Sequence, residues 1–340
     1  MVTIRDIAIE ANVSIATVSM ALNGKDCISA KTTKKVLEAA RKLNYIPSVS
    51  AQTLKTRRSR TLGLVVGNLS NTYFSDIVSA AEETARALSY QLFICDAGMR
   101  MENAMDCFRT LQAHNVDGIL FSLSIHVDDQ FAEFVKEIVD HGTKMISLTR
   151  CMEVPEVPIV TFTDEEQVYT ILSDLVGLGH RRVGAVGGPK GSWMNKSRLG
   201  IFRRVMKANG ILDESCIAYS ALSIEEGKQE ALKLLKKHPD LTAVYGINDM
   251  VALGILLAAE ELGMTVPRDL SIVGCDGIPY VMFSSPKITT VATPRREIGR
   301  MAAKRLIDMI EGNEMESTRI TLIPCEIVKG ESICEPGIRS

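Results

Sequence analysis

From Thr61 onward the chain repeats one pattern: an apolar run short enough for a strand, then an amphipathic segment long enough for a helix. TLGLVVG, QLFIC, DGILF and KMISL read as strands, with helices expected at SDIVSAAEETARAL, ENAMDCFRTLQAH and FAEFVKEIVDHG. Strands that are apolar along their whole length are buried on both faces, and strands joined through helices run parallel. The alternation resumes with QVYTILSDLVGLG, RVGAVGG, SRLGIFRRVMKANG, EEGKQEALKLLKKH, TAVYGI, DMVALGILLAAEELG and LSIVGCD, which predicts a second sheet of the same kind. REIGRMAAKRLIDMIEG and RITLIPCEIVKGES fit elements that cross back. In such α/β folds ligands sit at the carboxyl ends of the strands.

The first sixty residues obey a different rule. Ile4, Ile7, Ala8 and Ala11 share one helical face, and Thr3 with Asp6 forms a capping-box start. Asn12 tolerates the left-handed conformation of a tight turn, and Ser14 can cap a second helix that buries Val18, Ala21 and Leu22. Ile15 flanks that face, while Ala16, Ser19 and Met20 point outward. Ser29 can cap a third helix, with Val36, Ala39, Ala40 and Leu43 inward and Tyr45 and Pro47 at its end. Two short helices around a tight turn are the helix-turn-helix arrangement that places a recognition helix in the DNA major groove, although an ordinary helical hairpin has the same spacing. Charge separates the alternatives. Residues 1–60 carry 11 Lys or Arg against 4 Asp or Glu, whereas the whole chain has a net charge of −2. Lys55, Arg57, Arg58 and Arg60 close the basic segment, as phosphate contact requires.

A chain of 340 residues suits two or three compact units, and 46% hydrophobic with 24% charged residues describes an ordinary globular protein. No apolar run approaches a membrane span and the start does not read as a secretory signal, so the expected compartment is the cytoplasm. Cysteines at 27, 95, 107, 151, 216, 275, 325 and 334 include no CxxC pair, and are expected to be reduced and mostly buried. VGGPKGSWMNKS superficially resembles a phosphate loop, but Asn195 stands where a glycine would be required. With no GxGxxG after a strand, no GxSxG elbow and no histidine cluster, the sequence implies neither an enzyme nor a cofactor or metal.

The run from TIRDIA through NVSIATVSMALNG to NYIPSVSAQTLKTRRSRTLGLVV resembles the amino terminus of the LacI/GalR family of bacterial transcriptional regulators. Weaker matches continue through FSDIVSAAEETARALSYQL, VDGIL, LGHRRVGAVGGP, RLGIF, NDMVALG, DLSIVGCD and ITTVATP. The resemblance implies a helix-turn-helix headpiece over residues 1–46, a hinge helix and linker over 47–60, and an effector-binding and dimerisation domain over 61–340. That domain would have the two-lobed fold of periplasmic sugar-binding proteins, lobe 1 spanning about 61–162 and 291–322 and lobe 2 about 163–290 and 323–340. The implied partners are double-stranded operator DNA, a second copy of the chain and a small polar effector, with no membrane. DNA contacts are implied for Thr3, Ser14, Ile15, Ala16, Thr17, Ser19, Met20 and Asn23 in the headpiece, and for Ala51, Leu54 and Lys55 in the hinge. Leu54 matches the leucine that the family inserts between base pairs in the minor groove.

Effector contacts are expected from Tyr73, Phe74, Thr149, Ser192, Trp193, Arg198, Leu222, Asn248 and Asp276, whereas Asp249 is expected to pack or to cap its helix. Asn248 could equally serve as a helix N-cap, and Tyr73 as lobe packing. Sugar-responsive members commonly carry an aspartate where this chain has Thr149, and valine-aspartate-asparagine where it has Phe162, Thr163 and Asp164. A simple monosaccharide is therefore disfavoured, while a larger sugar, a phosphosugar or a nucleobase stays open. Met20 cannot make a bidentate contact to guanine, so apolar contacts to thymine methyls, backbone anchoring through Thr17, Ser19 and Asn23, and a larger contribution from DNA bending are expected. The alternatives are a sugar-binding module without gene control, and an activator or a regulator controlled by a protein corepressor.

Overall fold

A computed structural model describes residues 2–22, 28–45, 58–123, 128–150, 154–313 and 318–337. They belong to two compact units, Met1–Ser59 and Arg60–Ser340.

In the first unit α1 spans Ile4–Glu10, α2 Ile15–Leu22 and α3 Ala30–Lys42. The Asp6 carboxylate accepts from the Thr3 backbone N–H and hydroxyl, both at 2.8 Å, which fixes the start of α1. Asn12 takes φ 47°, and Val13 N–H returns to the Ala8 carbonyl at 3.0 Å, closing the turn. Ser14 then accepts from Thr17 N–H at 3.1 Å and opens α2, and Ser29 accepts from Thr32 N–H at 3.2 Å to open α3. Ile7, Ala8, Ala11, Val18, Ala21, Val36, Ala39 and Ala40 form the core, with Leu22 and Leu43 packed at its margin. Ile4 departs from the expected face: it opens α1 one turn before the core begins and is 36% exposed. A core built from so few side chains does not reach the helix tip.

The second unit begins with β1 (Thr61–Val66), α4 (Tyr73–Ala87), β2 (Gln91–Asp96), α5 (Met101–Ala113), β3 (Gly118–Ser122), α6 (Asp129–Asp140), β4 (Lys144–Ser147) and β5 (Ile159–Thr163). It continues with α7 (Glu165–Gly177), β6 (Val183–Gly187), a π-helical turn (Asn195–Leu199), α8 (Gly200–Ala208), β7 (Ile217–Tyr219), α9 (Ile224–Lys237), β8 (Ala243–Gly246), α10 (Asp249–Glu261) and β9 (Ser271–Asp276). The last elements are α11 (Pro279–Phe283), β10 (Thr289–Ala292), α12 (Arg295–Glu311), β11 (Ile320–Pro324) and β12 (Glu326–Val328). Among the described residues the strands form two sheets, ordered β11-β5-β4-β3-β1-β2 and β12-β10-β9-β8-β6-β7.

The central strands β1, β3 and β9 are buried at every position, as their unbroken apolar runs dictate. Strand β2 lies at a sheet edge and leaves Phe93 and Ile94 exposed. One pairing departs from the parallel expectation: β12 runs antiparallel to β10. It arrives straight from the other sheet through the single residue Cys325, without the helical crossover that makes neighbours parallel. Strands β5, β7 and β10 add to those read from the alternation. Helix α12 returns to lobe 1 and packs on α4 so closely that a Cβ at Gly299 would lie 2.3 Å from the Ile77 carbonyl oxygen.

The chain passes between the sheets after Thr163, after Ala292 and after Pro324. The connecting residues Asp164, Thr293 and Cys325 are all buried. Cys325 N–H donates to the Thr163 carbonyl at 3.0 Å, and its sulfur stands 4.0 Å from the Thr293 hydroxyl. The crossings thus lie side by side, and a rotation of one lobe against the other must pass through them.

Candidate functional site

The carboxyl ends of both sheets face a cavity of about 420 Å³. Segments after β1, β2, β3 and β4 supply Asn68, Asn71, Tyr73, Phe74, Met99, Met101, Leu123 and Thr149, and β5 itself supplies Thr161 and Phe162. The opposite wall comes from the segments after β6, β7 and β8 and from the end of β9: Pro189, Lys190, Ser192, Trp193, Met194, Ala221, Leu222, Ser223, Asn248 and Asp276. Aromatic and thioether side chains make the faces, and hydroxyls and amides are spaced between them, the composition of a site for a small partly polar molecule.

Of the residues expected from the sequence, Tyr73, Phe74, Thr149, Ser192, Trp193, Leu222, Asn248 and Asp276 line this cavity, and Arg198 does not. Asn248 also caps α10, its Oδ1 accepting from Val251 N–H at 2.9 Å, so its NH₂ group is the part left to a ligand. Tyr73 and Phe74 meet edge to face with centroids 5.1 Å apart. Thr149 donates to the Leu123 carbonyl at 3.3 Å, tying the loops after β3 and β4 together.

Arg198 lies on the π-helical turn and is 2% exposed. Its Nε donates to Asp164 Oδ2 at 2.6 Å, and its Nη1 donates to Asp276 Oδ1 at 3.0 Å and to the Ile247 carbonyl at 2.8 Å. Nη2 is buried and has no partner among the described residues. The guanidinium carbon stands 5.7 Å from the centroid of the Phe162 ring, which does form part of the wall. Arg198 therefore joins the first interlobe crossing to the end of β9.

Asp276 has φ 119° and Gly277 φ 67°. A non-glycine residue in that region costs about 1–3 kcal/mol and persists only where its surroundings enforce it. Arg295 supplies that enforcement: it donates to the Asp276 carbonyl, to the Gly277 carbonyl at 2.9 Å, and to Asp76 Oδ2 at 2.9 and 3.1 Å. Burial pushes the Asp276 carboxyl above its ordinary value, partly offset by Arg198. Asp249 is not part of the cavity wall and accepts from the Thr290 hydroxyl at 2.6 Å and from Ile278 N–H at 2.8 Å. Burial, reinforced by the negative charge of Asp276, pushes it up to about 7.

Asn195 is a residue whose role the sequence did not reveal. Its Oδ1 accepts from Gly188 N–H at 2.8 Å and its Nδ2 donates to the carbonyls of Gly188 and Pro189 at 2.7 and 2.6 Å. It thereby anchors the loop that carries Lys190, Ser192 and Trp193. Only the proximity of a buried amide to a glycine pair could have signalled this. Met99, Met101 and Leu123 also went unread, because isolated apolar residues look the same in a core and in a cavity wall.

Asp213, Cys216 and His238 bring potential metal-binding atoms within 4.8 Å of one another. The Arg182 guanidinium already occupies that place, 3.1 Å from Asp213 Oδ2 and 3.7 Å from Cys216 Sγ, and His238 Nε2 pairs with the Ser215 carbonyl at 2.9 Å. A cation is thus provided by the chain itself. Among the described cysteines, 216, 275 and 325 are buried and 95, 107 and 334 half-buried, all as free thiols.

In the first unit Thr3, Ser14, Ile15 and Ala16 are exposed, and Thr17, Ser19 and Met20 are half-buried. One face of α2 is thus small and uncharged. Asn23, Ala51, Leu54 and Lys55 lie outside the described residues, as does the expected hinge helix. No helix among the described residues is long and apolar enough to cross a membrane.

The family profile for bacterial regulatory proteins of the lacI family matches residues 3–48, and that for a periplasmic binding protein-like domain matches residues 172–333. The HTH-type transcriptional regulator DegA of Bacillus subtilis is 31% identical over 96% of this chain and 97% of that protein. The HTH-type transcriptional repressor CytR of Escherichia coli is 31% identical over 96% of this chain and 94% of its own. A crystal structure of the lac repressor dimer bound to operator and the anti-inducer ONPF superposes with a TM-score of 0.85 at 28% identity, covering 98% of this chain and 99% of the other. The chain belongs to the lacI family of bacterial regulatory proteins, DNA-binding transcriptional repressors and not enzymes.

Proposed function

We propose that the protein is a homodimeric repressor whose affinity for operator DNA is set by a small effector held in the cavity between the lobes. The observation that carries this reading is the cavity itself: its walls come from both sheets, so filling it biases how the lobes stand against each other. Residues 1–46 would form the DNA-reading headpiece, 47–60 the hinge and 61–340 the effector and dimerisation domain. Thr3, Ser14, Thr17, Ser19 and Asn23 would anchor on the backbone, Ile15, Ala16 and Met20 would meet base edges, and Ala51, Leu54 and Lys55 would act at the minor groove. The cavity-lining residues expected from the sequence would contact the effector directly, and Arg198 would act from behind Phe162 and Asp276.

Dimerisation is supported by the apolar side chains left in solvent on β2 and α11. Phe93, Ile94, Tyr280 and Met282 are exposed and Phe283 is 85% exposed. An effector that prefers one lobe arrangement changes operator affinity by the difference in its affinity for the two states, typically about 1–3 kcal/mol. Gel-shift titrations of an operator fragment, with and without a metabolite panel, test the reading. A ligand-dependent shift is expected, and operator binding indifferent to every ligand that fills the cavity would contradict it.

A further inference from the structure

The edge of the first sheet carries a pair of thiols outside the cavity. Two contacts fix how α5 lies against the edge strand β2. The Phe93 ring meets His114 edge to face with centroids 6.0 Å apart, and the Cys95 thiol is in hydrogen-bond contact with the Cys107 thiol. Positions 93 and 95 share one face of a strand, and positions 107 and 114 lie two turns apart on one side of a helix. The register that joins the rings therefore also joins the sulfurs. Cys107 Sγ stands 3.8 Å from the Asp96 carbonyl as well, and both cysteines are half-buried free thiols. The other described thiols meet oxygen or nitrogen: Cys216 the Arg182 guanidinium, Cys275 the Asp164 carboxylate, Cys325 the Thr293 hydroxyl and Cys334 the Pro267 carbonyl. Burial pushes Cys95 and Cys107 up, Cys107 to about 11. Their mutual hydrogen bond offsets part of that shift at Cys95 and adds to it at Cys107, so Cys95 keeps the larger thiolate fraction. A reduced pair whose thiolates are destabilised has no advantage over its disulfide, the reverse of a strongly oxidising pair.

We propose that Cys95 and Cys107 form a thiol–disulfide exchange site, which an oxidised low-molecular-weight disulfide of the glutathione type converts to an intramolecular disulfide. The Cys95 thiolate attacks one sulfur of the small disulfide, breaking its S–S bond and releasing one small thiolate. Cys107 then gives its proton to solvent and attacks the Cys95 sulfur of the mixed disulfide, which forms the Cys95–Cys107 bond and releases the second small thiolate. Two electrons pass from the protein sulfurs to the small disulfide, and its two thiolates take up the two protons. The bond closes the loop from 95 to 107, which carries Met99 and Met101 to the cavity wall, and so ties that part of the wall to α5.

Full-length protein, reduced and then freed of reductant, is incubated with oxidised glutathione, alkylated under denaturing conditions and digested with trypsin. Cleavage at Arg86, Arg100 and Arg109 leaves Cys95 and Cys107 on separate peptides, 87–100 and 101–109, so their linkage is read directly by mass. The linked pair is expected in the monomer band of a non-reducing gel, and reduction should remove it. In Cys107→Ser the glutathione adduct should accumulate at Cys95, and in Cys95→Ser the adduct at Cys107 should form at least about fivefold more slowly. Adducts on Cys95 and Cys107 without a linked peptide would overturn the proposal. So would linkage of either residue only to Cys27, to Cys151 or to a second chain, or native thiols that stay unmodified while denatured protein reacts. Faster reaction at Cys107 than at Cys95 would overturn the order of attack. The linked peptide is read on the parent chain, so a variant that fails to fold leaves the test intact.

Discussion

Arg198 Nε lies 2.6 Å from Asp164 Oδ2, and this contact ties the π-helical turn after β6 to the first crossing between the lobes. Because the same guanidinium holds Asp276 at the end of β9, the cavity wall and the first interlobe crossing share one buried ion cluster. A ligand bound at Asp276 would therefore be one side chain away from a segment through which any rotation of the lobes must pass.

Replacing Arg198 with alanine should leave Asp164 and Asp276 buried without their counter-ion. A loss of about 3–5 kcal/mol in stability is expected, together with loss of the effector response. Urea unfolding followed by Trp193 fluorescence checks it, and a cost below about 1 kcal/mol would mean that the cluster contributes little to stability.

Asn195→Ala should act on the loop rather than on the fold. The amide holds Gly188 and Pro189 through three hydrogen bonds. Weaker effector binding is expected, by about tenfold or more, from the freed loop and unpaired backbone groups. Isothermal titration with whichever ligand shifts Trp193 emission measures it, and unchanged affinity would show that the loop is held by other contacts.

Asp249 predicts a pH dependence. Its folded-state value of about 7 stands above the ordinary 3.8, mainly through burial. The folded protein therefore keeps a proton that the unfolded chain gives up, and the associated stability is fully present below 3.8 and lost as pH rises through about 7. Burial shifts Asp276 in the same direction. An Asp249→Asn variant should have a flatter stability profile across this window in thermal or urea unfolding, and a slope equal to that of the parent would assign the proton to another group.

Much of the fold was legible because local chemistry and tertiary structure agree. Thr3 with Asp6, Asn12, Ser14 and Ser29 sit at the capping and turn positions that their side chains favour. The strands of the two sheets were legible where an apolar run was unbroken. Strand β7, with only three half-buried residues, and β12, reversed by its entry from the other lobe, carry no such signal. The place of the cavity was legible from the rule that α/β sites gather at strand ends, and eight of the residues expected there line it. The pairing of Arg198 with Asp164 was not: 34 positions separate them in sequence, and an arginine expected at a ligand site looks the same whether it meets a ligand or a carboxylate. Ile4 was misread because periodicity gives a face but not where the core ends.

The hinge reading from sequence leads to a DNA-binding prediction. Leu54→Ala should weaken specific operator binding by about tenfold or more while leaving non-specific binding nearly unchanged, because an apolar wedge acts only on a step that the specific complex bends. Anisotropy titrations with operator and scrambled duplexes at fixed salt measure both, and equal losses would remove the wedge.

The central claim is that cavity and operator are coupled, and one titration tests it: operator affinity of the full-length protein by fluorescence anisotropy, with the cavity empty and then saturated by a ligand that changes Trp193 emission. The account predicts a change in operator Kd of about 5- to 150-fold. An unchanged Kd with the cavity demonstrably full would contradict it.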